Sequence, residues 1–91
     1  MAKLRLPAVL RPLANGTAVL DVEAADLAAL RHEIGARYPA LADRVYDADG
    51  SWRDFVNVFV DGEDARYLEP ASPLGTGSEI QLLPAISGGS A

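Results

Sequence analysis

With 91 residues, 49% of them apolar and 23% charged, the chain has the composition of one folded domain on a single core, not of a disordered segment. It has no cysteine and one histidine, which excludes disulfides, thiolate metal sites, a cysteine nucleophile and a multi-histidine metal centre. A net charge of −5 without a basic run argues against nucleic acid, whose phosphates need clustered Lys and Arg, and suits a partner with a basic docking face. No apolar run approaches the roughly 18 residues of a membrane span. Met1-Ala2-Lys3-Leu4-Arg5-Leu6 lacks the apolar stretch of a signal peptide, so no membrane association and a soluble cytoplasmic protein are expected.

Lys3-Leu4-Arg5-Leu6 alternates polar and apolar, the period of a half-buried strand with Leu4 and Leu6 inward. Pro7 and Pro12 follow it, Asn15-Gly16 predicts a hairpin turn, and Thr17–Val22 reads as the returning strand with Ala18, Leu20 and Val22 facing the core. Asp26 is placed to cap a helix, and Leu27, Leu30, Ile34 and Tyr38 form its apolar stripe. Gly35 weakens that helix by about 1 kcal/mol relative to alanine, and Pro39 ends it. Leu41 and Val45 predict a short helical turn, and Asp47–Ser51 an exposed loop. Phe55–Val60, almost wholly β-branched or aromatic, reads as a central strand. Asp61-Gly62 turns it, Ala65–Leu68 reads as a short strand, and Pro70–Ser78 as loop. Glu79–Pro84 is the last strand, with Ile80 and Leu82 on one face and Gln81 and Leu83 on the other.

The order β-β-α-β-β-β in so short a chain predicts an α+β fold of the β-grasp (ubiquitin-like) type. In it a mixed sheet of about five strands wraps one main helix, and the last strand lies beside the first. Another small α+β sandwich is the alternative. The expectation is a single domain over residues 1–91 with a flexible tail from about residue 85.

After that last strand the chain reads Pro84-Ala85-Ile86-Ser87-Gly88-Gly89-Ser90-Ala91. Adjacent glycines lack β-carbons, so this segment is thin enough to enter a narrow channel, although a Gly-Gly pair alone reads first as an ordinary frayed end. Strand parity sets Phe59 and Leu83 on the face away from the helix, where with Pro84 and Ile86 they form a candidate partner patch. Packing under loops is the plainer reading of both.

Other features point to no chemistry. His32 falls on the polar face of the helix as a solvated side chain. Asp47, Asp49 and Ser51 around Gly50 loosely follow a calcium loop, but its twelfth position is Val58, not glutamate, so no metal is expected. Gly75-Thr76-Gly77 reads as a turn and not a phosphate loop. Trp52 is expected to cap the core beside Phe55, or else to anchor a partner. Glu63, Asp64 and Glu69 read as a solvated acidic patch.

Taken together, Val56-Asn57-Val58, the Asp61-Gly62-Glu63 turn and Pro84-x-x-x-Gly88-Gly89 resemble the bacterial ubiquitin-like sulfur carriers. These include the small subunit of molybdopterin synthase, the thiamine sulfur carrier and the carrier that supplies sulfur for cysteine. Pro7-Ala8-Val9-Leu10-Arg11-Pro12 is most similar to the cysteine branch. The resemblance implies a carrier that is no enzyme itself. A ubiquitin-activating-like enzyme would use ATP to adenylate the Gly89 carboxylate and convert it to a thiocarboxylate, with Gly88 making the approach narrow. The carrier would bind no cofactor, and its sulfur would go to a pyridoxal-phosphate (PLP)-dependent cysteine synthase or another acceptor enzyme. Most such carriers end at the second glycine, so the resemblance also implies cleavage of the Gly89–Ser90 bond, by a zinc metalloprotease of the deubiquitinase-like (JAMM) type. The competing reading is a ubiquitin-like modifier or interaction module.

Overall fold

A computed structural model describes residues 1–84. Strand β1 (Ala2–Arg5) buries Ala2 and Leu4 and exposes Lys3 and Arg5. It pairs antiparallel with β2 (Val19–Val22), which buries Leu20 and Val22. The link between them is not the tight hairpin expected. Ala8–Ala14 forms a 3₁₀ helix that tucks Leu10 and Ala14 into the core. Pro7 enters it in extended backbone, and the Leu10 N–H donates to the Pro7 carbonyl at 2.9 Å. Asn15, in the left-handed region, ends this helix, so Asn15-Gly16 does reverse the chain, but as a helix terminus. Ala18, expected inside, is exposed at the end of the ladder, where its carbonyl accepts from the Leu6 N–H at 2.8 Å.

Helix α1 (Leu27–Arg37) starts where the Asp26 carboxylate accepts the Ala29 N–H at 2.7 Å. Leu27, Leu30 and Ile34 are buried against the sheet side of the molecule, and Tyr38 closes the helix half-buried. Pro39 then opens a second helix, α2 (Pro39–Val45), since a first-turn proline lacks only an N–H that the helix would leave unpaired. Leu41 and Val45 of α2 are fully buried. Trp52 does cap this region, but its partner is Tyr46, at 4.4 Å between ring centroids and 27° between planes. Phe55, the partner expected, is 48% exposed.

Strand β3 (Val56–Val60) turns at Asp61 (φ 51°) and Gly62 (φ 87°) into the two-residue β4 (Glu63–Asp64). Positive φ at both turn positions matches the right-handed twist of the flanking strands, and favours glycine at the second. The strand expected over Ala65–Leu68 is instead a 3₁₀ turn, Ala65–Tyr67. The Asp64 carboxylate accepts the Arg66 N–H at 2.9 Å, offering the backbone a local bond in place of a ladder. Strand β5 (Glu79–Pro84) falls where the alternation placed it, with Ile80 and Leu82 buried. It lies parallel to β1 and antiparallel to β3 in a sheet of order β2-β1-β5-β3-β4. This is the β-grasp arrangement, and Leu4, Leu30, Ile34, Leu41, Ile80 and Leu82 make its centre. Among the described residues no helix is long and apolar enough to cross a membrane.

Candidate functional site

Central strands bury one face of their side chains and present the other. Here β5 carries both roles: Ile80 and Leu82 are inside, while Gln81, Leu83 and Pro84 are exposed. Leu83 is 38% exposed and sits opposite Asn57 of β3; Gln81 sits opposite Phe59. Phe59 and Leu83 are therefore diagonal neighbours on the face away from the helices, as their parity predicted, with Phe59 half-buried. Pro84, opposite Val56, is the last described residue. Ile86, Gly88, Gly89 and Ser90, named from the sequence as site residues, lie outside the described residues, as does the tail expected from residue 85.

The same face is graded in polarity. At the start of β5 it carries two ion pairs, Lys3 with Asp21 at 2.6 Å and Arg5 with Glu79 at 3.1 Å. The Lys3 ammonium holds the Asp21 carboxyl below the usual range, and Glu79 raises the Arg5 guanidinium. At the other end Leu83 borders a notch of about 330 Å³ lined also by Leu6, Pro7, Arg11 and Val19. Arg11 is tied there by Nε donating to the Leu6 carbonyl at 3.2 Å. Phe55, just before β3, is a further exposed aromatic residue. The alternation Phe55-x-Asn57-x-Phe59 carried that signal.

The remaining candidates are drawn into structural roles. Asp49 accepts from the Ser51 N–H at 3.0 Å and the Ser51 hydroxyl at 2.7 Å, and Asp47 pairs with Arg53 at 3.1 Å, so both carboxylates are occupied within their own loop. Among the described residues no group of three or more His, Cys, Asp or Glu side chains is placed to hold a metal. His32, Glu63 and Glu69 are exposed, and Asp64 caps the turn that follows it. Gly75–Ser78 is a turn closed by the Ser78 N–H on the Gly75 carbonyl at 3.0 Å. What the described residues offer is thus an apolar surface at the end of β5.

The model of the ThiS family matches residues 4–89. The chain belongs to that family. ThiS-family sulfur carriers are small carrier proteins acted on by partner enzymes. The chain is 30% identical over 87 residues to the sulfur carrier protein CysO of Mycobacterium tuberculosis, covering 92% of this chain and 94% of that one. The crystal structure of M. tuberculosis CysO superposes with a TM-score of 0.83 at 27% identity, over 93% of this chain and 99% of that one. A chain of the Amycolatopsis orientalis BexX/CysO complex gives 0.84 at 22% identity, over 98% and 100%, a likeness of fold. SAMP1, the small archaeal modifier protein 1 of Haloferax volcanii, gives 0.70 at 31% identity, over 97% and 98%.

Proposed function

We propose that this sulfur carrier holds its sulfur as a thiocarboxylate on Gly89 and delivers it to cysteine biosynthesis. The observation that carries the reading is the extent of the family match, which runs through β5 and stops at residue 89, the second glycine of the pair. The sequence likeness to CysO along most of the chain supports the cysteine branch over the molybdopterin and thiamine branches.

The chemistry follows from the C-terminus. Hydrolysis of the Gly89–Ser90 amide, by a zinc metalloprotease of the JAMM type, leaves a carboxylate on Gly89 and an amine on Ser90. A carboxylate oxygen attacks the α-phosphorus of ATP on the activating enzyme and expels pyrophosphate. The acyl adenylate so formed has an electrophilic carbonyl. A hydrosulfide-level donor attacks it, AMP leaves, and the thiocarboxylate remains. Its sulfur, nucleophilic at neutral pH, forms a bond to the side-chain carbon of the acceptor amino acid on a PLP-dependent cysteine synthase as the acceptor's leaving group departs. Hydrolysis of the acyl bond to Gly89 then frees the sulfur-bearing amino acid and restores the Gly89 carboxylate. ATP and PLP belong to the partners.

The domain serves as a handle for these enzymes. Phe59, Leu83 and Pro84 supply the apolar contact, and the five residues from there to Gly89 reach at most about 18 Å. The reacting carbonyl must therefore lie within that distance of the docking patch. Bare glycines at 88 and 89 let the segment pass where a β-carbon would obstruct it.

The deciding experiment is the intact mass of the protein recovered from its native cells. The expected species ends at Gly89, with a fraction heavier by the difference between sulfur and oxygen. A chain that keeps Ser90 under sulfur-demanding growth overturns the proposal. The likeness to the small archaeal modifier protein favours a second reading, in which Gly89 forms isopeptide bonds. Covalent adducts on lysines of larger proteins would establish that one instead.

A further inference from the structure

Strand β2 is one edge of the sheet, paired on its inner side to β1. The Leu6 N–H bonds the Ala18 carbonyl, so by the alternation of an antiparallel ladder Leu20 and Val22 turn their main-chain groups toward β1. Those of Val19, Asp21 and Glu23 face outward. Such a row is a template for another strand. The opposite edge, β4, is two residues long and too short to act as one.

Two of the outward groups on the β2 side are already bonded, and both bonds come from α1. The Glu33 carboxylate accepts the Glu23 N–H at 2.9 and 3.2 Å. Arg37 Nη1 donates to the Asp21 carbonyl at 2.9 Å and to Glu33 Oε2 at 2.6 Å. The Arg37 guanidinium also lies 5.3 Å above the centre of the Tyr38 ring, and the Glu33 side chain is only 18% exposed. A solvated pair one helical turn apart needs none of these main-chain contacts. This one spans from helix to strand and occupies a donor and an acceptor on the only long free edge among the described residues.

We propose that Glu33 and Arg37 are an edge guard, which fills from the helix the bonding positions that β2 of a second copy of this chain would otherwise take. A second copy is the fitting occupant because it offers the same outward row. Two β2 strands related by a two-fold axis would satisfy each other's groups at once and continue the sheet. A carrier that must present one face and one tail to successive enzymes is kept from pairing with itself in this way.

The test uses the full chain as wild type, as the double variant Glu33→Ala/Arg37→Ala, and as Glu33→Gln, which keeps an acceptor oxygen. Mass is read by sedimentation over a range of concentrations, and exchange of the Glu23 amide by NMR at low concentration. The wild type and Glu33→Gln are expected to be monomeric with a protected Glu23 amide. The double variant is expected to keep its circular dichroism, exchange that amide about tenfold faster, and dimerise as concentration rises. A folded double variant that stays monomeric throughout overturns the proposal, as does a wild type that dimerises through β2. If the double variant does not fold, Glu33→Ala alone is judged by the same two readings.

Discussion

Tyr46 is buried with a hydroxyl that has no hydrogen-bond partner among the described residues, and burial pushes its pKa up from the ordinary tyrosine value. The folded state therefore favours the protonated phenol. Its contribution to stability is complete below the unfolded pKa of about 10 and is lost as pH rises beyond it. Tyr46→Phe should leave stability at neutral pH unchanged or slightly higher, since no bond is broken. Urea midpoints at about pH 11 should then fall less for the variant than for the wild type. Gly50 is a second residue whose local geometry decides the outcome. It has φ +91°, and an added β-carbon would lie 3.0 Å from Cζ of Arg31. Gly50→Ala should cost more than about 1 kcal/mol in denaturant unfolding. In the processed chain ending at residue 89, Gly89→Ala should unfold like the wild type yet yield no thiocarboxylate when incubated with the activating enzyme, ATP and a sulfur source. Turnover at the normal rate would mean that a β-carbon at position 89 does not obstruct the approach.

Among the elements, β5 joins the core to the proposed docking surface, and neighbouring residues on it should separate the two. Leu82 is 1% exposed, so Leu82→Ala should destabilise the fold by about 2–5 kcal/mol. Leu83 faces solvent, and Leu83→Asp should leave the unfolding midpoint nearly unchanged while weakening binding to the activating enzyme by tenfold or more, read by calorimetry. An equal loss of stability in both variants would mean that Leu83 packs structurally. Helix α1 tolerates improvement. Gly35 is exposed, with ordinary helical backbone and open space where a β-carbon would go. Gly35→Ala should stabilise by roughly 0.5–1 kcal/mol, the gain expected when a helix-interior glycine is replaced.

For the whole molecule, the charge of −5 is unevenly placed. Asp61, Glu63 and Asp64 cluster at the end of the sheet where β5 begins, while Leu83 and Pro84 lie at the other. A partner that reads both ends needs a basic surface beside its apolar one. Association with the activating enzyme should accordingly slow as salt is raised, with dissociation changed less.

The elements with a strong period were legible in the sequence alone. The alternation in β1 and β5 fixes which side chains are inside, whatever else the chain does. The spacing of Leu27, Leu30 and Ile34, with Asp26 before them, locates α1 and its start in the same way. The candidate patch at Phe59 and Leu83 follows from parity, and the diglycine motif needs no coordinates. Tertiary structure decided the rest. Ala8–Ala14 and Ala65–Tyr67 are too short for a 3₁₀ segment to show a period, and their form depends on where Leu10 and Ala65 find room in the core. Trp52 stacks on Tyr46 and not on nearby Phe55, because the two meet across a bridge between segments that local pattern cannot pair. The bonds from Glu33 and Arg37 to β2 join residues ten and more positions apart. Periodicity records which face of an element is apolar, whereas contacts between elements exist only once packing has brought them together.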